Sequence, residues 1–476
     1  MPVSELLIPP QVSFPTISVA AATKGAPPAA RDRPGHAGPV VIALALSLLA
    51  SPARAQAPAP DELPRALSLA DAESLFLTRG LDLLIAQYGA EGAEGDVRAA
   101  GAHPNPGLDL GVAYTPPLHR DLIYSGISPN VPGPLWGLSI GVTDNAAISD
   151  QLSGKRSLRI EAASKALAAA RLNVDEVKRQ GLGQLRLAYV AAVMATLDVG
   201  DVKESFQTYD EQLKLNQKRY DEGALGGLDL SRATQAQIEA LQAMDQAESG
   251  RKQAQASLLF LLGVRGGALE VALTTPIDYA PLGKLKEATL PWLVSQARAN
   301  RADTKIAAAN LEQAEVLVQQ ARRARVPDVA LSLGYAEQCG GQSCSSQPAF
   351  SAGLQGNVPL FYQQQGEIKR AESNVKAAQR SVDKVDAQVL LDVSQAFAAY
   401  TAAKSQVERM EGKLLAQAKV SRDLAQHLYQ RGAASFIDFM DAQRSYVSSR
   451  LEYHQDLANY WDAVYQLEQA TATPLR

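Results

Sequence analysis

The sequence predicts a mainly α-helical protein with a small β part, built as two tandem copies of one unit. Three observations predict it. No proline lies between Pro134 and Pro276, or between Pro359 and Pro474. Proline breaks helix interiors, so these intervals permit long helices. Inside them, apolar residues recur at alternating steps of three and four, and the same spacing returns 208 residues later.

The second interval carries the clearer seam. It runs Ile368, Ala371, Val375, Ala378, Val382, Val385, Val389, Val393, Ala396, Tyr400, Ala403, Val407, Met410, Leu414. This is a heptad pattern with one stutter at Val385-Val389-Val393. The first interval repeats it from Ile160 through Ala163, Leu167, Ala170, Val174 and Val177, and on through Gly181 and Leu185 to Val202 and Phe206. A helix of some 45 residues spans about 70 Å. That length suits a tube, stalk or fibre. The duplication extends to Leu69–Ala86 against Leu290–Ala307, and to Pro104–Gly111 against Pro327–Gly334. Each copy therefore reads helix, strand hairpin, long helix, turn, helix.

Composition narrows the class. The chain has 476 residues, 46% of them hydrophobic and 20% charged, with a formal charge of −4. A strongly basic nucleic-acid binder is disfavoured. The one long apolar run lies near the start, which rules out a polytopic helical membrane protein. Two Cys and five His are too few and too scattered for a structural zinc fold.

The apolar run Pro39–Ala50 follows Arg31, Arg33 and His36 and precedes Ala53-Arg54-Ala55. It reads as a secretory signal cleaved after Ala55. No Cys stands near that cut to carry a lipid anchor, and residues 1–30 read as an upstream start. The expected organisation is an extension and signal at 1–55, a first repeat at 56–271 with its hairpin at 107–143, a connector at 272–289, and a second repeat at 290–476 with its hairpin at 328–358.

Four segments alternate. Leu108, Leu110, Val112 and Tyr114 interleave with Asp109, Gly111 and Ala113; Trp136, Leu138, Ile140 and Val142 interleave with Gly137, Ser139 and Gly141. The segments Val329–Tyr335 and Phe350–Val358 do the same, with Gly356 breaking the last apolar face. One apolar face and one small or polar face fit transmembrane strands with a lipid side and a watery lumen. Ordinary half-buried hairpins give the same alternation. The secretion signal favours the membrane reading. So does geometry, because two hairpins cannot close a useful barrel, whereas several chains sharing one can. Cys339 and Cys344 flank the last strand turn, and in an exported protein a disulfide is expected there. A pair of metal-binding thiols is the alternative.

Two turns match at an offset of 209: Tyr220–Asp229 and Tyr429–Asp438. Each ends a helix at a glycine and restarts another, forming the tip of a helical hairpin. At this point the chain resembles the TolC-like outer membrane efflux proteins, over about 69–472. The most specific part is Tyr429-x-x-Gly432-x-x-Ser435-x-x-Asp438-x-x-Asp441-Ala442-Gln443-Arg444. His103-Pro104-Asn105-Pro106, Gly154-Lys155-Arg156-x-x-Arg159 and Val358-Pro359-Leu360-Phe361 resemble the CzcC-like heavy-metal branch.

The resemblance implies a homotrimer: an α-helical barrel of long coiled-coil helices crossing the periplasm, with a shared outer-membrane β-barrel of four strands per chain set in lipid. It implies a passive exit duct without enzymatic activity or cofactor, docking at its helical tips to a periplasmic adaptor and through it to an inner-membrane RND pump. It implies entrance-constriction roles for Asp438 and Asp441, where a ring of carboxylates would attract cations and raise some of its own pKa values. The plainer alternative is two solvated carboxylates near a helix N-terminus. It implies a latch of Tyr429 to Asp229, and adaptor-docking tips at Gly223, Leu225, Gly432 and Ser435. The family's Arg two residues after the second tip glycine is Ala434 here, so Arg431 or Arg232 is a possible substitute. No phosphate loop, Gly-x-Ser-x-Gly or His-Glu-x-x-His occurs, and His103, His119, His427 and His454 show no partner at metal or triad spacing. The same duct for drugs or type I protein secretion is the alternative cargo. A secreted coiled-coil scaffold is the alternative class.

Overall fold

The computed structural model describes residues 64–475 apart from 116–134, 267–269, 286–287 and 341–346. The signal segment, His119, the side chain of Cys339, and Cys344 lie outside the described residues.

The chain enters through a two-residue strand β1 (Ala66–Leu67) and then α1 (Leu69–Arg79) and α2 (Leu81–Gly101). The hairpin β2 (Gly107–Thr115) and β3 (Leu135–Thr143) follows, with α3 (Ala147–Ser153), α4 (Lys155–Asp221) and α5 (Gly227–Leu261) after it. A strand β4 (Ala272–Leu273) and a 3₁₀ turn Gly283–Leu285 lead to α6 (Leu290–Asn300) and α7 (Ala302–Arg323). Then come β5 (Val329–Gly340), β6 (Gln347–Gly356), α8 (Gln365–Arg409), a π turn (Met410–Leu414), α9 (Leu415–Gln430) and α10 (Phe436–Thr471).

The protein is thus mainly helical with a small sheet, and its two halves repeat. The first helix of each half is broken in two where one was expected. Gly80 makes the break in the first half, with φ −56° and ψ 117°. Arg301 makes it in the second, with φ −62° and ψ 134°. A Cβ at Gly80 would lie 2.6 Å from the Phe76 carbonyl oxygen, so the first break needs glycine. Arg301 instead fills its bend with a buried guanidinium that reaches Asp303 (2.6 Å) and Asp392 (2.9 Å). Taking one charge out of water is tolerable there because carboxylates meet both its arms.

In α8 the buried residues are Ile368, Ala371, Val389, Val393, Ala396, Tyr400, Ala403 and Val407, all from the seam. The seam's last member departs from expectation, since Leu414 is 47% exposed. The π turn is the cause. It adds a residue to one helical turn, so the inward face resumes one position later, at the half-buried Leu415, Ala418 and Arg422, and ends on the buried Tyr429. The same extra residue explains why the seams match at 208 and the tips at 209. α4 runs through the corresponding region without a break.

The core sits where α4, α8 and α10 meet the connector. Tyr189, Leu185, Val389, Val393, Tyr460 and Leu467 are fully or nearly fully buried there. The Tyr189 hydroxyl donates to the Leu67 carbonyl (2.9 Å) and accepts from the Thr275 N–H (3.1 Å), which ties down the parallel β1–β4 pair. A second core near the tips holds Tyr209, Ala233, Ala236, Tyr429, Phe436 and Phe439.

The four long strands form one antiparallel sheet in the order β2-β3-β5-β6. Leu108 pairs with Val142, Leu110 with Ile140, and Val112 with Leu138, so the apolar residues share a face. That face continues through Val142 opposite Leu333 and Leu331 opposite Leu354.

Candidate functional site: helical tips and strand face

The tips are built by two glycines and unequal caps. Gly223 and Gly432 have φ +74° and +73°. In the second tip the Gly432 N–H donates to the Tyr429 carbonyl (3.0 Å) and the Ala433 N–H to the Leu428 carbonyl (2.9 Å). The first tip makes the same pair, from Gly223 to Tyr220 (2.9 Å) and from Ala224 to Arg219 (2.7 Å). These bonds satisfy the last carbonyls of each helix and require a left-handed residue. The helices that follow differ. α10 starts on Ser435, whose Oγ accepts from the Asp438 N–H (3.2 Å) while Asp438 Oδ2 accepts from the Ser435 N–H (3.1 Å) and hydroxyl (2.7 Å). α5 starts on Gly226, which offers no side-chain cap.

Asp438 and Asp441 are both exposed and share one face of α10. Asp438 is engaged in its own cap, and the Ser435 hydroxyl and N–H hold its carboxyl below the usual range. Within one chain its pKa is therefore lowered, whereas a ring was expected to raise some of its members. Leu225 is half-buried and Leu228 beside it exposed.

Tyr429 is 4% exposed. Its ring stacks on Phe439 (centroids 5.7 Å) and tilts against Phe436 (5.5 Å), and the Arg219 guanidinium lies over it at 5.4 Å. Its hydroxyl donates to the side-chain oxygen of Asn216, and burial pushes its pKa up. Asp229 pairs with Arg232 at 3.3 Å. Inside one chain, then, the two expected latch residues are not bonded to each other. Arg232 is committed to Asp229, and Arg431 is exposed.

Sequence reasoning missed Asn216. It is fully buried, and its Nδ2 has no partner. Gln212 Oε1, Gln443 Oε1 and the Tyr209 hydroxyl nearby are unpaired too. A polar side chain at a heptad seam position was the available signal, because Val202, Tyr209 and Asn216 are spaced by seven. His454 is a second correction. It is buried, with Nδ1 2.7 Å from Asp198 Oδ1, and Asp201 is held between it and Arg450. These partners lie more than 200 residues away in sequence, so spacing could not reveal them. Among the described residues no group of three or more His, Cys, Asp or Glu is placed to hold a metal ion.

On the sheet, Leu110, Val112, Leu138, Leu333, Phe350 and Leu354 are all exposed on one face. The other face carries glycine, serine and alanine, with Asp109 among them. Tyr114 and Trp136 pack at 4.6 Å, and Tyr335 and Phe350 at 5.2 Å. No described helix is long and apolar enough to cross a membrane.

Known proteins resemble this chain in sequence and fold. Residues 293–473 match the outer membrane efflux protein family model. The chain is 21% identical over 394 residues to the cobalt-zinc-cadmium resistance protein CzcC of Cupriavidus metallidurans, covering 83% of this chain and 87% of CzcC. Its fold is similar to the outer membrane protein VceC of Vibrio cholerae (TM-score 0.67, 20% identity, 86% of this chain and 97% of VceC). It is also similar to the CmeC outer membrane channel of Campylobacter jejuni (TM-score 0.72, 15% identity, 85% and 86%). The family match lies in the second half of the chain, and the fold of the described chain, with its internal duplication, is similar to that of these outer membrane proteins.

Proposed function

We propose that this protein is the passive exit duct of a tripartite RND-type efflux system and that its cargo is divalent heavy-metal cations. The similarity to a cobalt-zinc-cadmium resistance protein over 83% of the chain carries the cargo reading. Three chains would close one barrel from their four-stranded sheets, the open edges β2 and β6 pairing between neighbours. The tips at Gly223, Leu225, Gly432 and Ser435 would meet the periplasmic adaptor. Asp438 and Asp441 of three chains would ring the entrance, attracting cations and repelling anions. Tyr429 and Asp229 would act in holding that entrance shut. In this reading Tyr429 works first inside its own chain, through Asn216, by fixing the end of α9 against α4.

Single-channel conductance of the trimer in planar bilayers tests the duct and its entrance. A cation-selective pore is expected, and Asp438→Ala with Asp441→Ala should lower both its selectivity and its block by multivalent cations. An unchanged pore would discard the ring. Cellular zinc, cobalt and cadmium content, measured with and without the gene, tests the cargo. Equal content would remove the heavy-metal reading and keep the duct.

A further inference from the structure

The apolar outer face does not stop at the helix-side ends of the strands. An apolar groove of about 480 Å³ opens there, between α3 and the ends of β5 and β6. Ile148 and Leu152 form one wall, and Leu331 and Leu354 form the other. The last two belong to the outer face, so the groove continues the apolar surface that the proposed barrel turns to lipid. Leu152 is 83% exposed. Close by, the segment after β6 holds Val358, Leu360 and Phe361 out to solvent, Phe361 at 96% exposure. Apolar side chains this exposed mark an interaction surface.

The charges around the groove are unevenly matched. Asp144 accepts from the N–H groups of Leu331 (2.7 Å), Ala146 (3.1 Å) and Ile148 (3.3 Å). Asp328 is met by Lys155 (2.8 Å), which also donates to the Val326 carbonyl (2.7 Å). Asp150 is met by Arg159 (2.6 Å), and Glu372 by Arg322 (2.9 Å). Val326 and Pro327 close the groove, and Arg323 and Arg325 stand just before them. Both arginines are exposed, and neither pairs with a carboxylate among the described residues. Arg325 donates to the Gln363 carbonyl (3.0 Å), which draws it toward the exposed apolar segment.

We propose that this groove is a phospholipid site: an acyl chain lies along Ile148, Leu152, Leu331 and Leu354, and Arg323 and Arg325 hold an anionic headgroup phosphate. Guanidinium matches phosphate in shape and charge, and the groove extends the apolar band on which the tail already rests. The site depends on the outer-membrane placement of the sheet and is independent of the cargo.

Native mass spectrometry of the delipidated trimer tests it, with phosphatidylglycerol and phosphate-free diacylglycerol of identical chains titrated separately. Wild type should retain phosphatidylglycerol at several-fold lower concentration. Arg323→Gln with Arg325→Gln should abolish that preference, and Leu152→Gln should weaken both lipids. Leu152 is exposed, so its change leaves the fold standing, which an unchanged thermal midpoint would verify. Equal retention of the two lipids by wild type overturns the proposal. Unaltered retention by the variants overturns it too. Loss of the trimer in Leu152→Gln would show that a neighbouring subunit covers the groove and would equally overturn it.

Discussion

The Tyr429–Asn216 pair shows what single residues contribute. Asn216 is fully buried with its Nδ2 already unpaired, so losing the tyrosine hydroxyl leaves its whole amide stranded. Tyr429→Phe should cost about 1–3 kcal/mol. Adding Asn216→Leu should recover much of that, because an apolar pair no longer strands a donor. Thermal unfolding of the two variants checks this, and the absence of recovery would show that the polar pair is favourable in itself. Gly432→Ala should cost about 1–2 kcal/mol through its positive φ alone, since open space surrounds the position. Asp462 acts in the opposite sense. Burial on α10 raises its pKa from 3.8 to about 6. Its folded pKa lies above its unfolded one, so its penalty is full above about pH 6 and vanishes below pH 3.8. Asp462→Asn should therefore stabilise by roughly 1–2 kcal/mol at neutral pH, after allowing for its partial exposure, and do nothing at pH 3.5. A gain that persists at pH 3.5 would assign the effect to something other than the charge.

Among the elements, the π turn Met410–Leu414 sets the register of everything after it in α9. Glu411 within it accepts from the Tyr453 hydroxyl of α10 (2.7 Å), and Glu408 just before it from Tyr279 (2.7 Å). Deleting Gly412 would restore the unbroken helix of the first repeat. It would also turn α9 by about one residue, roughly 100°, and carry Tyr429 out of the tip core. The deletion variant should unfold at lower temperature by more than Tyr429→Phe does, since it also removes the packing against Phe436 and Phe439. A midpoint equal to wild type would mean that α9 absorbs the change elsewhere. The turn was partly legible in sequence. The shift from 208 to 209 between seam and tips announces one extra residue, but nothing in the residue types locates it within the stretch.

The whole molecule rests on a two-faced sheet and on helices that bury one or two flanks. Leu110→Arg on the outer face should reduce insertion into vesicles by about 2–4 kcal/mol at mid-depth. Asp109→Ser, one residue away on the opposite face, should insert as wild type does. Equal effects of the two would show that both faces meet the same solvent.

Much of this plan was readable without coordinates. Proline-free intervals, a seam of period seven, two-residue alternation and two glycine tips are local patterns, and helices and strands obey local rules. The duplication was readable because it sets those patterns side by side. What the tertiary structure alone decided joins distant residues. Examples are the breaks at Gly80 and Arg301, the β1–β4 pair bound to Tyr189, His454 beside Asp198, and Tyr429 bonded to Asn216 within its own chain. Each depends on which helix passes which at a given height, and periodicity along one chain carries no record of that crossing.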